Sequence, residues 1–382
     1  MDLSWSAEQL QLKEQTAAFA REQLGSDLAA RDRDEVFDRA GWDRCASFGL
    51  SGLIIPSRLG GRGLDPVTAA LVLETLGYGC PDNGLLFALG AHLWGCAQSI
   101  LLAGSAEQQE RYLPLLASGG KIGALAVTEA GAGSDIAGIQ TTARRAGADY
   151  VLSGRKSLIT NGPLADLVVV LAGTGPERSS FGLSCFILER GLEGLTFGPN
   201  QPKMGMRTAA LGEIVLQNCI VSAAQRLGRE GAGMALVERA MEWERGMILA
   251  PAVGGMQRLL ERCCDRARTR RQFGVPIGQF QHVSAMLVDM KLKTETSRAL
   301  LYQAAWLKQR GRPSAHQSAL AKLHISEAWI LCCQHALQIH GGFGYLTESE
   351  VERELRDALA SRLYSGTSEL LKSLLARQLL TR

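Results

Sequence analysis

None of the nine cysteines, at 45, 80, 96, 185, 219, 263, 264, 332 and 333, forms a C-x-x-C pair or stands at zinc-site spacing from a histidine, so the sequence offers no metal centre and no dithiol motif. Their odd number argues against a disulfide-stapled module, and they read as core thiols in a reducing compartment. A surplus of charge is missing too: 41 Lys+Arg against 38 Asp+Glu leave +3 over 382 residues. That is too even for a general polyanion-binding surface, and nucleic acid is not an expected partner. No apolar run approaches the ~20 residues that cross a bilayer, and the N-terminal residues lack the basic-then-apolar order of a signal or transit peptide. A cytoplasmic protein without a membrane partner is expected. Internal repeats and low-complexity tracts are absent. The rest is ordinary globular composition, 46% hydrophobic and 21% charged, except for 43 glycines, above the average share of roughly 7%. Glycine-dependent turns or close ligand contacts are expected. The length suits two or three domains better than one.

From Ser6 to about Gly119 the apolar period is helical. Ser6 with Gln9 and Ser105 with Gln108 are capping boxes, and Asp65-Pro66 marks a third helix start with proline at the first helical position. Between Lys121 and about Gly228, short β-rich runs at 124–128, 150–152, 167–171, 184–188 and 213–216 alternate with Gly, Pro and Asn. Beyond Gly233 the helical period returns over about 234–270, 282–310, 313–338 and 350–380, lengths that suit an antiparallel bundle. The expected architecture is α+β and multidomain, with helices over 1–119, a small β-domain over 120–228 and a helical bundle over 229–382.

Gly131-Ala132-Gly133-Ser134-Asp135 lacks the third glycine of a dinucleotide-binding turn, and by itself it is a plain glycine-rich turn. Its surroundings add to it. Val127-Thr128-Glu129 precedes it, Leu158-Ile159-Thr160-Asn161-Gly162 follows, and Arg270-Arg271-Gln272-Phe273-Gly274 lies far downstream. Gln338-Ile339-His340-Gly341-Gly342-Phe343-Gly344 and Tyr364-Ser365-Gly366-Thr367-Ser368-Glu369 complete the series. In this order and spacing the set resembles the acyl-CoA dehydrogenase family of flavoproteins over essentially the whole chain.

The resemblance implies the acyl-CoA dehydrogenase fold, with an N-terminal α-helical domain, a middle β-domain and a C-terminal four-helix bundle. It also implies a homo-oligomer, a dimer of dimers, with one FAD per subunit. Matched residue by residue, Ala126, Val127, Thr128, Gly133 and Ser134 would contact flavin or substrate from the β-domain, with Ile159 and Thr160 beside the flavin ring. Leu158 stands where many members place Trp against the flavin. Arg270, Gln272, Phe273 and Gln281 match positions that reach the adenosine diphosphate half of FAD across a dimer interface, as do Gln338, Gly341 and Gly342. A pyrophosphate needs fixed cations and close backbone approach, which Arg and paired Gly provide. The plainer reading of Arg266, Arg268, Arg270 and Arg271 is a solvated helix end. Thr367 and Glu369 match further FAD positions, Glu369 where Gln is common.

The family's reaction removes the α-proton of an acyl thioester, so a carboxylate must face the α-carbon. In most members that Glu immediately precedes Gly-Thr; here the position is Ser365, whose hydroxyl is too weak a base unaided. Glu244 is the candidate in its place. Val237, Ala240, Met241, Met247, Ile248 and Pro251 surround it at helical spacing. Such an apolar stripe desolvates a carboxylate and raises its pKa towards the range useful for proton abstraction. Without the resemblance, a Glu in this setting is more often a core carboxylate paired with a cation. Isovaleryl-CoA and long-chain acyl-CoA dehydrogenases carry their base on this helix, in a Glu-Arg pair that Glu244-Arg245 matches. Met241, Arg245, Met247, Ile248, Tyr364 and Ser365 are the expected substrate pocket, and Pro251 is expected to kink the helix beyond Glu244.

The relocated base and the Tyr-Ser-Gly-Thr-Ser segment also resemble a bacterial biosynthetic branch, the prolyl-carrier-protein dehydrogenases that make pyrrolyl thioesters. The expected activity is FAD-dependent α,β-dehydrogenation of an acyl thioester. An aminoacyl, prolyl-like group on a carrier protein is favoured over a short or branched acyl-CoA, the carrier and CoA ending in the same phosphopantetheine arm. Electron-transfer flavoprotein or oxygen would take the electrons. The alternatives are a non-catalytic flavin- or thioester-binding protein, and a flavin oxidase or monooxygenase on the same fold.

Overall fold

A computed structural model describes residues 4–175 and 182–380. Helix starts fall where the caps require them. The Ser6 hydroxyl accepts from the Gln9 amide at the head of α1 (Ala7–Gln23). Two short helices, α2 (Leu28–Asp34) and α3 (Arg39–Ser47), follow. Asp65 caps α4 (Pro66–Gly79), accepting from the amides of Val67 and Thr68. α5 (Asn83–Gly90) runs through a π-helical turn, Ala91–Ala97, into α6 (Gln98–Ala103). This continuous stretch is 21 residues of mostly apolar helix, a length that corrects the expectation of no such run. Most of it is buried in the protein, so core packing accounts for its composition. α7 (Ala106–Ala117) opens on the second capping box, at Ser105.

The middle of the chain forms one eight-stranded mixed sheet of β1 (Gly123–Ala126), β2 (Thr142–Ala146), β3 (Asp149–Thr160), β4 (Leu167–Gly173), β5 (Leu183–Glu189), β6 (Leu195–Phe197), β7 (Leu211–Val221) and β8 (Arg226–Leu227). The order is β6-β7-β3-β2-β4-β5-β8, with β1 parallel on β4. β2, β6 and β8 extend the five expected strands; β6 and β8 are only three and two residues long and β2 carries two arginines, so their sequences give little β signal. β3 is far longer than expected because it shifts register twice against β7, between Leu152 and Gly154 and between Lys156 and Ile159. Such bulges bend a strand and re-aim its side chains. The second bulge puts Leu158 at φ +56° and leaves it 60% exposed.

The C-terminal region departs from four continuous helices at two places, and both lie at the candidate site. The expected helix 234–270 is two helices, α8 (Gly233–Met247) and α9 (Ala250–Thr269). Pro251 sits in the first turn of α9 and has no N–H for the Met247 carbonyl, so it ends one helix and starts the next rather than kinking one. α10 (Gln281–Gln309) and α11 (Ala315–His340) match their expected spans. The expected helix 350–380 is also divided, into α12 (Val351–Ala360) and α13 (Ser368–Leu380). Between them the backbone enters the left-handed region at Ser365 (φ +56°) and Gly366 (φ +92°), which a helix cannot accommodate.

The two helical regions share one core. Leu73 and Leu76 of α4 cluster with Met256 and Leu259 of α9 and Trp329 of α11. A Cβ on Gly77 would lie 2.0 Å from the Pro251 carbonyl oxygen, and one on Gly254 1.9 Å from that of Glu74. Only glycine at these positions lets α4 and α9 cross at backbone contact. The sheet packs one face against α6, α7 and α8 and encloses a separate core on the other. The end of α8 therefore lies where sheet, N-terminal helices and bundle meet.

Candidate active site

Glu244 occupies the last turn of α8, on a stripe whose Val237 and Ala240 are buried. Its carboxyl accepts a hydrogen bond from the Ser365 hydroxyl. The two residues singled out as present and missing base are thus in direct contact. Burial pushes the Glu244 pKa above the ordinary carboxylate value, against the opposing pull of the Ser365 hydroxyl and the charges of Arg245 and Lys322. Arg245 does not extend freely towards a substrate: its Nε donates to the Ser365 carbonyl at 3.0 Å. Lys322 on α11 donates to the next carbonyl, that of Gly366, at 2.6 Å. The Tyr364 ring packs against Phe87 of α5, with centroids 4.4 Å apart. Met241 and Tyr364 are partly buried, whereas Met247 and Ile248 belong to the core beneath them. Glu242, one turn from Glu238, is held by the Lys308 ammonium at 3.3 Å and by the Ser314 hydroxyl. It is a structural carboxylate and Glu244 is not.

A second group of residues lies on the sheet, where Val127 packs against the same core cluster as Met241 of α8. Val127 and Thr128 are partly exposed, and Gly133 and Ser134 are exposed on the loop after β1. Ala126 and Ile159 are buried in the sheet core, so only their backbones are available; Thr160 is partly exposed. The loop is shaped by an ion pair that spacing did not reveal. Lys156, wholly buried on β3, donates to Glu129 at 2.8 Å and to the Val127 carbonyl at 2.9 Å. Glu129 also accepts from the amides of Gln140 and Thr141. Burial alone raises the Glu129 pKa, but these bonds outweigh it and hold the group below its usual value. Asn161, at φ +64°, adds a second tie: its Nδ2 donates to the carbonyls of Ala88 at 2.9 Å and Gly123 at 3.2 Å. Lys156→Met leaves the Glu129 carboxylate buried without its cation and should destabilise the protein by about 3–5 kcal/mol. Urea unfolding of the variant against the parent measures this.

The third group lies elsewhere. Arg270 and Gln272 form a pocket of 580 Å³ with Arg266, Ile339, Gly341 and Gly342. Gln281 and Gln338 are exposed nearby in sequence, and Phe273 is 93% exposed. Nothing lies within 4 Å of a Cβ built on Gly341 or Gly342. Arg266 Nε is buried without a partner, and its guanidinium sits over the Phe343 ring at 5.5 Å. Arg270 makes no ion pair among the described residues. Two unneutralised guanidinium groups beside an open glycine pair suit a diphosphate, so this pocket fits the FAD implied by the resemblance. Arg266, one turn before Arg270, belongs to it, although a helix end rich in arginine gave no sign of which ones face inward. α9, 20 residues long, separates this pocket from Glu244, a span of about 30 Å at helical rise. The Thr367 hydroxyl accepts from the Leu370 amide at 3.2 Å, which leaves its O–H free to donate, and Glu369 is exposed in the first turn of α13.

Models of the acyl-CoA dehydrogenase N-terminal, middle and C-terminal domains match residues 6–120, 124–219 and 231–380 in turn. The chain belongs to the acyl-CoA dehydrogenase family. It is 38% identical to an L-prolyl peptidyl-carrier protein dehydrogenase of a Serratia species, over 99% of this chain and 98% of that one. Among solved structures it is similar to the prolyl acyl carrier protein oxidase AnaB, with a TM-score of 0.97 and 48% identity over 99% of this chain and all of the other. PigA with FAD and proline gives a TM-score of 0.96 and 37% identity over 99% of both chains. The acyl-CoA dehydrogenase fold thus extends over the three regions, and the enzyme is an oxidoreductase acting on CH–CH bonds.

Proposed function

We propose that the enzyme dehydrogenates a prolyl group held as a thioester on a carrier protein, with Glu244 as the base and FAD as the cofactor. The observation that carries this reading is the desolvated Glu244 carboxylate, held by Ser365 at the junction of sheet and bundle. Its context is a chain similar over its whole length to two proteins named for prolyl carrier-protein substrates. When bound, FAD accepts the hydride that leaves the β-carbon. Glu244 takes the α-proton on its free carboxylate oxygen, while the Ser365 hydroxyl occupies the other and fixes the carboxyl plane. The backbone of Val127–Thr128 and of Ile159–Thr160 would hold the flavin ring, which suits exposed strand edges free of intervening side chains. Arg266, Arg270 and the Gly341-Gly342 pair would hold the diphosphate of a second subunit's FAD. The 30 Å separation along α9 supports that division, as do the exposed Phe273, Val288, Leu292 and Tyr345. Nine free cysteines, eight of them buried, support a cytoplasmic location.

The thioester arm would thread between the sheet and the bundle, leaving the carrier outside. Carrier recognition is then a surface property, and the prolyl-carrier protein should turn over faster than prolyl-CoA. Intact-mass spectrometry of the acyl carrier after aerobic incubation should show loss of hydrogen in pairs. Comparable turnover of both forms would remove the carrier from the proposal and leave the chemistry. Oxygen as terminal acceptor is a second reading, supported by AnaB being named an oxidase. Mixing the reduced enzyme with air decides it: fast recovery of the yellow flavin favours oxygen, slow recovery an electron-transfer flavoprotein.

A further inference from the structure

Lys322 is 0% exposed, and no carboxylate lies within ion-pair distance of its ammonium among the described residues. The ammonium donates to the Gly366 carbonyl at 2.6 Å and lies 5.8 Å from the centre of the Tyr364 ring. A neutral donor would satisfy that carbonyl without the desolvation that burying a cation incurs. The charge itself therefore needs a use. The turn it grips is the strained one: Ser365 and Gly366 are both left-handed, and their successive carbonyls are held by Arg245 and Lys322. That conformation is what places the Ser365 hydroxyl on Glu244.

We propose that Lys322 is a positioning residue for the base: its ammonium locks the Ser365-Gly366 turn so that the hydroxyl meets Glu244, and its charge favours the ionised carboxylate. The inference rests on Glu244 being the base. Burial first, and the Arg245 charge after it, lower the Lys322 pKa to about 8 against the opposing pull of Glu244, Glu327 and Glu369. The groups that act on Glu244 are Arg245 on its own helix, Lys322 on α11, and Ser365 and Tyr364 in the turn; Glu327 on α11 and Glu369 on α13 act on Lys322 in turn. Two of them, Arg245 and Lys322, are the cations that offset its desolvation.

The sign follows. Removing the cation disfavours the carboxylate, so the Glu244 pKa rises and the base is lost at a higher pH than in the parent. The test is the rate of anaerobic flavin reduction in the holoenzyme, followed from about pH 4.5, the ordinary carboxylate value, to about pH 9 with a saturating prolyl thioester. In Lys322→Met the midpoint of the acid limb should move up by about 1 unit or more, and Lys322→Arg should return it towards the parental value. An unmoved midpoint in Lys322→Met, or an arginine variant no closer to the parent than the methionine one, overturns the proposal. Should Lys322→Met not fold, Lys322→Gln keeps a donor for the carbonyl without the charge, and the same shift or its absence decides. Glu244→Gln separates the two readings. If it keeps the parental rate, the base assignment fails; if it is silenced while the lysine variants keep the parental profile, only the role of Lys322 fails.

Discussion

Glu244→Gln should lower substrate-driven flavin reduction by ~10²–10⁴-fold while FAD stays bound, the usual contribution of a positioned general base. Glutamine keeps the shape and helix propensity of the residue and can still accept from the Ser365 hydroxyl, so the substitution removes little besides the basic oxygen. Because the Glu244 pKa stands above the ordinary carboxylate value, the parental rate should rise with pH on the acid side as the group loses its proton. Ser365→Ala should be far milder. It deletes a hydrogen bond that favours the carboxylate, so it should move the acid limb upward without silencing the reaction. Ser365→Glu in the Glu244→Gln background probes the geometry, since the hydroxyl already touches the carboxyl and partial recovery is expected. A Glu244→Gln enzyme that reduces its flavin at the parental rate would shift attention to Glu369, the next carboxylate in the Gly-Thr segment.

Arg270→Ala should weaken flavin binding by about 10–100-fold, the effect of losing a charge-assisted hydrogen bond, and should weaken the oligomer with it. We propose that the FAD held by Arg266, Arg270 and the Gly341-Gly342 pair bridges two chains, because α9 puts about 30 Å of helix between this pocket and Glu244. A ligand that bridges subunits stabilises their association by mass action. Flavin absorbance and light-scattering mass measured on one sample check the coupling. Unchanged flavin content together with unchanged mass would remove this pocket from the cofactor site.

Much of this frame was legible in advance because it depends on local chemistry. The capping boxes at Ser6 and Ser105 and the Asp65-Pro66 start satisfy orphan amides within one turn, and the structure places helices there. The change from helical to strand period near Lys121 and back near Gly233 is likewise a property of neighbouring residues. Glu244 is singled out by the resemblance, which puts a base on this helix and leaves Ser365 where a Glu is usual; the apolar period of the helix alone reads as a core carboxylate. What spacing could not supply depends on tertiary contact. Lys156 stands between Arg155 and Ser157 on a strand and Lys322 between Ala321 and Leu323 on a helix, and a lysine is ordinarily solvent-facing in either setting; only the carbonyls and carboxylate brought from elsewhere explain their burial. The break between α12 and α13 is another case, because Ser-Gly tolerates a helix locally and is held out of it by cations from α8 and α11. Pro251 was recognised as a disturbance, yet whether proline kinks a helix or separates two depends on the packing of α9 against α4.

The most direct test of the account is anaerobic addition of prolyl-carrier protein to the purified holoenzyme while the flavin absorbance is recorded. The account predicts rapid bleaching with the parental protein and none on the same timescale with Glu244→Gln. A flavin that stays oxidised with prolyl-carrier protein, prolyl-CoA and short acyl-CoA alike would contradict it and leave a flavoprotein that binds thioesters without oxidising them.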